Sequence, residues 1–134
     1  MAQDDCIFCK IARKEIPVEM VYEDREVIVF LDAFPAVKGQ TLVIPKKHIA
    51  PYLFDADDGI YTKLMLTAKK IAKAIDNAMK PIKTGMVVEG LELAHVHIKL
   101  YPLSMEGFRC LRKPIPKLSK QEMKEISTKI KNSL

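Results

Sequence analysis

The sequence predicts an α+β domain built on a largely antiparallel sheet, with one long helix and a C-terminal helix. Three observations carry that expectation. Apolar, β-branched runs follow one another without helical crossovers, and one stretch, residues 57–79, keeps a helical period throughout. The 134 residues suit one core, and no repeat or Gly/Ser-rich linker divides them. A single domain over 1–134 is therefore expected.

Residues 6–13 fit one short helix, and Pro17 closes that region. Val27, Ile28, Val29, Phe30 and Leu31 form an apolar run bounded by Asp32 and Pro35, which reads as a buried strand. After the Lys38-Gly39 turn signal, Thr41, Leu42, Val43 and Ile44 make a second strand stopped by Pro45. Ile60, Leu64, Ala68, Ile71, Ile75 and Met79 recur at spacings of 4, 4, 3, 4 and 4. They define a long amphipathic helix, with Lys69, Lys70 and Lys73 mostly on its other side and Pro81 at its end. Met86, Val87 and Val88 give a third strand. Val96, Ile98 and Leu100 alternate with His95, His97, Lys99 and Tyr101, giving a fourth strand with one apolar and one polar face. A tail containing Pro102, Pro114 and Pro116 follows. Ser119, three residues before Glu122, resembles a capping box. It opens a final helix whose Met123, Ile126 and Ile130 dock on the core or on a second copy.

Composition excludes several classes. An apolar share of 49% with 29% charged residues argues against disorder. No apolar run approaches the ~18–20 residues of a membrane span. The chain opens Met1-Ala2-Gln3-Asp4-Asp5, acidic and without basic residues, unlike a signal peptide. Three cysteines, an odd count, point away from a disulfide framework, and a cytoplasmic protein is expected. The net charge of +5 is concentrated late: residues 99–134 hold 9 basic and 3 acidic side chains. An anionic partner and a solvated helix face both fit that stretch.

Two motifs carry chemistry. Cys6 and Cys9 are spaced so that both thiolates can reach one Zn²⁺ at ~2.3 Å, which then needs two further ligands. The chain offers His48, His95 and His97. A pair of inert buried thiols and a redox dithiol are the other readings, and the redox one expects a βαβ context that residues 1–40 lack. His95, His97 and Lys99 alternate on one strand, roughly 6.5–7 Å between successive members. An imidazole there can act as nucleophile, base or metal ligand, or the three can form a plain polar face.

Taken together, Cys6-Ile-Phe-Cys9-Lys-Ile11, Glu15-Ile16-Pro17, Phe30-Leu31-Asp32, Thr41-Leu-Val-Ile-Pro45-Lys-Lys-His48 and His95-Val-His97-Ile-Lys99-Leu-Tyr-Pro102 resemble the histidine-triad family. The blocks stand in that family's order and span residues 6–102, with a basic extension from 103 to 134. The resemblance implies a histidine-triad fold, a homodimer, and nucleotidyl transfer or hydrolysis with a small nucleotide as substrate. It implies His97 as the nucleophile attacking phosphorus, and Cys6, Cys9, His48 and His95 as ligands of a structural zinc ion. It also implies Asp32 as acceptor for ribose hydroxyls and Ile7, Phe8, Ile11 and Ile16 as base-pocket residues. The chain departs from the family pattern in three places. Lys99 stands where a third histidine is usual, Gln40 where many members have histidine, and residues 86–94 replace a longer Asn/Gly-rich loop. Lys99 can then serve as a fixed positive charge against the phosphate. A non-catalytic nucleotide-binding regulator, and a nucleic-acid-end binder or deadenylating protein, are the alternative readings.

Overall fold

A strand buried at every position must be covered on both faces, and Val27–Leu31 meets that condition from end to end. In the computed structural model, which describes residues 3–49, 51–112 and 116–134, this run lies inside a five-stranded sheet. The strands are β1 (Met20–Glu23), β2 (Val27–Leu31), β3 (Thr41–Pro45), β4 (Lys83–Val87) and β5 (Ile98–Leu103). Their order is β1-β2-β3-β5-β4, and every pairing is antiparallel. Three helices complete the fold: α1 (Ile7–Ala12), α2 (Asp58–Met79) and α3 (Lys120–Asn132). Among the described residues no helix is long and apolar enough to cross a membrane.

The long helix forms where its period places it. The Asp57 side chain caps it by accepting from the Ile60 N–H at 3.1 Å. Lys80 ends it in the left-handed region with φ of 51°, and Pro81 cannot continue it. Leu64, Ala68, Ile71 and Ile75 are buried against Val29, Val43, Ile98 and Leu100, which cover one face of the sheet. α3 packs beside α2 and against β1, with Ile126 and Ile130 buried in the same core. Its apolar face therefore docks on its own chain. Ser119 caps α3 by accepting from the Glu122 N–H at 3.1 Å.

The other face is covered only at one end. There Phe8, Cys9 and Ile11 of α1 pack on Ile28, Phe30, Leu42 and Ile44. That half-covered face holds the candidate site.

Three expectations need correction, and one strand was not expected. The fourth strand begins at Ile98, not at His95, because β3 pairs with β5 only over Ile98–Leu100. The third strand is Lys83–Val87, starting three residues before Met86. Pro102, expected in a tail, lies inside β5. It is tolerated there because β3 has ended at Thr41, opposite Leu100, so Pro102 needs no N–H on that side. β1 escaped notice: it is four residues long and joins β2 through a turn in which Asp24 Oδ1 accepts from the Glu26 and Val27 N–H groups. Pro114 lies outside the described residues.

Position along α2 decides the effect of truncation. Ile71 is fully buried and Leu66 is 61% exposed on the same helix. Ile71→Ala should cost about 2–5 kcal/mol in urea unfolding. Leu66→Ala should stay within about 0.5 kcal/mol.

Candidate active site and metal cluster

Cys6 occupies the N-cap position of α1 and Cys9 sits one turn later, and both thiols are buried. His48 follows the end of β3, and His95 precedes β5. The fold brings these four together, with their ligand atoms all within 4.8 Å of one another. His95 Nδ1 lies 3.4 Å from Cys6 Sγ and 3.5 Å from Cys9 Sγ. His48 Nδ1 lies 3.2 Å from Cys9 Sγ. A tetrahedral zinc ion with ordinary Zn–S and Zn–N bonds separates sulfur from nitrogen by about 3.5 Å. The four residues can therefore hold a metal ion, and a two-thiol, two-imidazole donor set suits zinc.

The remaining valences agree. His95 Nε2–H donates to the Pro45 carbonyl at 2.8 Å, which leaves the Nδ1 lone pair toward the cluster. Burial pushes the His95 pKa down, keeping the ring in its neutral, ligating form. Burial, reinforced by the Cys6 side chain, pushes the Cys9 thiol up to about 11. A divalent cation inverts that balance, since a coordinating thiol gives up its proton.

The second feature is a cleft of about 420 Å³ on the half-covered sheet face. Ile7, Phe8, Ile11, Ile16, Asp32, His97 and Lys99 all line it, so seven residues singled out in the sequence meet in one place. Phe8 also belongs to the core under α1, so packing and lining are both true of it. Phe30, Leu42 and Leu93 add apolar surface.

His97, Asp32, Gln40 and Lys99 are each held in the cleft by hydrogen bonds. His97 Nδ1–H donates to the His95 carbonyl at 2.8 Å, which leaves the Nε2 lone pair. Burial lowers the His97 pKa against the pull of that hydrogen bond, and the Lys99 charge lowers it further. The edge of its ring meets Phe8, with centroids 5.1 Å apart. The Asp32 carboxylate accepts from the Phe34 N–H at 2.9 Å and from Gln40 Nε2 at 2.8 Å. Gln40 Oε1 in turn accepts from the Ala36 N–H at 2.7 Å. The glutamine that departs from the family pattern thus fixes Asp32 and the loop after β2.

Lys99 donates to Glu89 Oε1 at 2.7 Å. Burial opposes its charge, yet Glu89, together with Tyr101 and Glu92, raises the Lys99 pKa overall. The same hydrogen bond holds the Glu89 carboxyl below its ordinary range. Sequence reasoning missed Glu89, which lies outside regular structure. The signal was available in one rule: a lysine on a half-buried strand face needs a counter-charge. It also missed Phe34, 80% exposed beside the cleft, and Glu92 on its wall.

Residues 13–104 match the family model described as HIT domain. An uncharacterized HIT-like protein of Borreliella burgdorferi is 37% identical over 134 residues, covering 94% of this chain and 96% of its own. The adenosine 5′-monophosphoramidase of Saccharomyces cerevisiae is 38% identical over 98 residues, covering 72% of this chain and 61% of its own. The crystal structure of a HIT-like protein from Bartonella henselae superposes with a TM-score of 0.81 at 31% identity, covering 98% of each chain.

Gln40 is 4% exposed and ties two backbone segments through one amide. Gln40→Ala leaves the Ala36 N–H and one Asp32 oxygen without this partner. It should cost about 1–3 kcal/mol in chemical denaturation. An unchanged midpoint would show that water replaces the amide at no loss.

Proposed function

The chain belongs to the HIT domain family, the histidine-triad proteins, and from that premise we propose that it is a nucleotide hydrolase or transferase. The reaction is cleavage of a phosphoramidate or phosphoanhydride bond of a nucleoside monophosphate. It runs through a covalent nucleotidyl-histidine intermediate on His97. The observation that carries this reading is the neutral His97 imidazole, oriented by the His95 carbonyl at 2.8 Å and lining the same cleft as Asp32 and Lys99.

In this mechanism Nε2 of His97 attacks phosphorus, and the bond from phosphorus to the leaving nitrogen or oxygen breaks. The leaving group departs with its electron pair and takes up a proton. Water then attacks the nucleotidyl-histidine, releasing the nucleoside monophosphate and restoring the neutral imidazole. The Lys99 ammonium sits where it can stabilise charge on the phosphoryl oxygens. Asp32, anchored by Gln40, accepts from the ribose hydroxyls, and Ile7, Phe8, Ile11 and Ile16 enclose the base. The activity named for the yeast relative supports a phosphorus–nitrogen bond as the one cleaved.

Cys6, Cys9, His48 and His95 would hold zinc in this reading, and the ion would supply a structural crosslink between α1, the end of β3 and the segment entering β5. A homodimer and a cytoplasmic location belong to the same proposal. A second reading, a nucleotide-binding regulator without turnover, is favoured by one observation: Lys99 is engaged by Glu89 rather than standing as a third histidine.

Two measurements test the proposal. His97→Ala should abolish turnover and covalent labelling by radioactive nucleotide while leaving ground-state nucleotide affinity nearly unchanged. Wild type that binds nucleotide but forms no adduct supports the regulator instead, and full activity in the variant ends the mechanism. Elemental analysis should find one zinc per chain. Cys9→Ser should lower metal content and melting temperature together, because metal binding free energy is partly folding free energy.

A further inference from the structure

Lys99 cannot move far, and Glu89 can. The Lys99 backbone is locked in the sheet opposite Leu42 of β3 and Val87 of β4, and its side chain is 17% exposed. Glu89 lies two residues beyond the end of β4, and its side chain is 38% exposed. The main chain around Glu89 is pinned. Val88 packs on the helical core and Leu93 on the α1 side. Between them Gly90, with φ of +66°, approaches the Pro51 carbonyl so closely that an added Cβ would lie 2.4 Å from its oxygen. Motion is thereby left to the Glu89 side chain, whose carboxylate can rotate into water.

Among the described residues lining the cleft, Lys99 is the sole ammonium or guanidinium. A phosphate beside His97 therefore depends on a cation that a carboxylate already holds at 2.7 Å. A retained Glu89 would set a further anion against the phosphate oxygens, a like-charge contact.

We propose that Glu89 is a built-in competitor for the phosphate of the nucleotide, occupying Lys99 until a phosphate takes the ammonium and the carboxylate swings out. The inference rests on the nucleotide reading of the cleft. It makes Glu89 a specificity-determining residue that penalises binding of the phosphate and not of the nucleoside. The pair is partly exposed, so the penalty is modest: about 3- to 10-fold in affinity.

The test is equilibrium binding of AMP and of adenosine to wild type, Glu89→Gln, Lys99→Met and the double variant. Glu89→Gln should tighten AMP about 3- to 10-fold and leave adenosine unchanged, the unchanged nucleoside also reporting an intact fold. Lys99→Met should weaken AMP, and in that background Glu89→Gln should no longer tighten it. If Glu89→Gln weakens AMP, Glu89 positions the lysine instead and the competitor role is overturned. It is equally overturned if AMP affinity ignores both residues while wild type still binds adenosine and AMP. If wild type binds neither, the nucleotide reading falls, and this inference falls with it.

Discussion

The buried imidazole of His95 is the point on which the site depends. One ring nitrogen is committed to the Pro45 carbonyl at the end of β3, and the other faces the two thiols of α1. Through that one side chain the N-terminal helix, the end of β3 and the segment entering β5 are fastened together. α1 is only six residues long and has no side-chain cap, so its own propensity contributes little. Its place on the sheet comes from Phe8 and Ile11 beneath it and from the Cys–His cluster at its start. The carbonyl that orients His97 is the carbonyl of His95 itself. A tether for the cleft wall and an orienter for the cleft imidazole are thus consecutive functions of one residue.

What the sequence made legible follows from the kind of signal involved. The helical period is strong over residues 57–79 and the apolar run is unbroken over Val27–Leu31, and both elements stand where the pattern put them. The histidine strand misled because alternation describes an extended chain and not a hydrogen-bonded one. His95 and His97 alternate with apolar neighbours but have no ladder partner. β1 was hidden because Met20–Glu23 mixes apolar and charged positions over too few residues to form a pattern. Residues of the cleft were legible through their family order, while Glu89 was not. A counter-ion is chosen by distance in space, and nothing in the spacing of Glu89 and Lys99 announces a contact across a loop.

Charge is placed with economy in the cleft. The cleft imidazole is kept neutral by burial, the ammonium is kept charged by its carboxylate, and Asp32 is steadied by a neutral amide. In the proposed mechanism each device suits its group: a nucleophile needs a lone pair, an electrostatic partner needs a full charge, and a hydroxyl acceptor needs fixed direction.

The alternation of residues 97–100, where the chain enters β5, has a further consequence. Ile98 and Leu100 point into the helical core, while His97 and Lys99 line the cleft. Strand alternation therefore assigns neighbouring codons to different physical tasks. Substitutions at 97 and 99 change the cleft lining without opening a void under α2, and substitutions at 98 and 100 change the packing under α2 without changing that lining. Innovation in the cleft is thereby mechanically insulated from the foldability of the sheet that carries it.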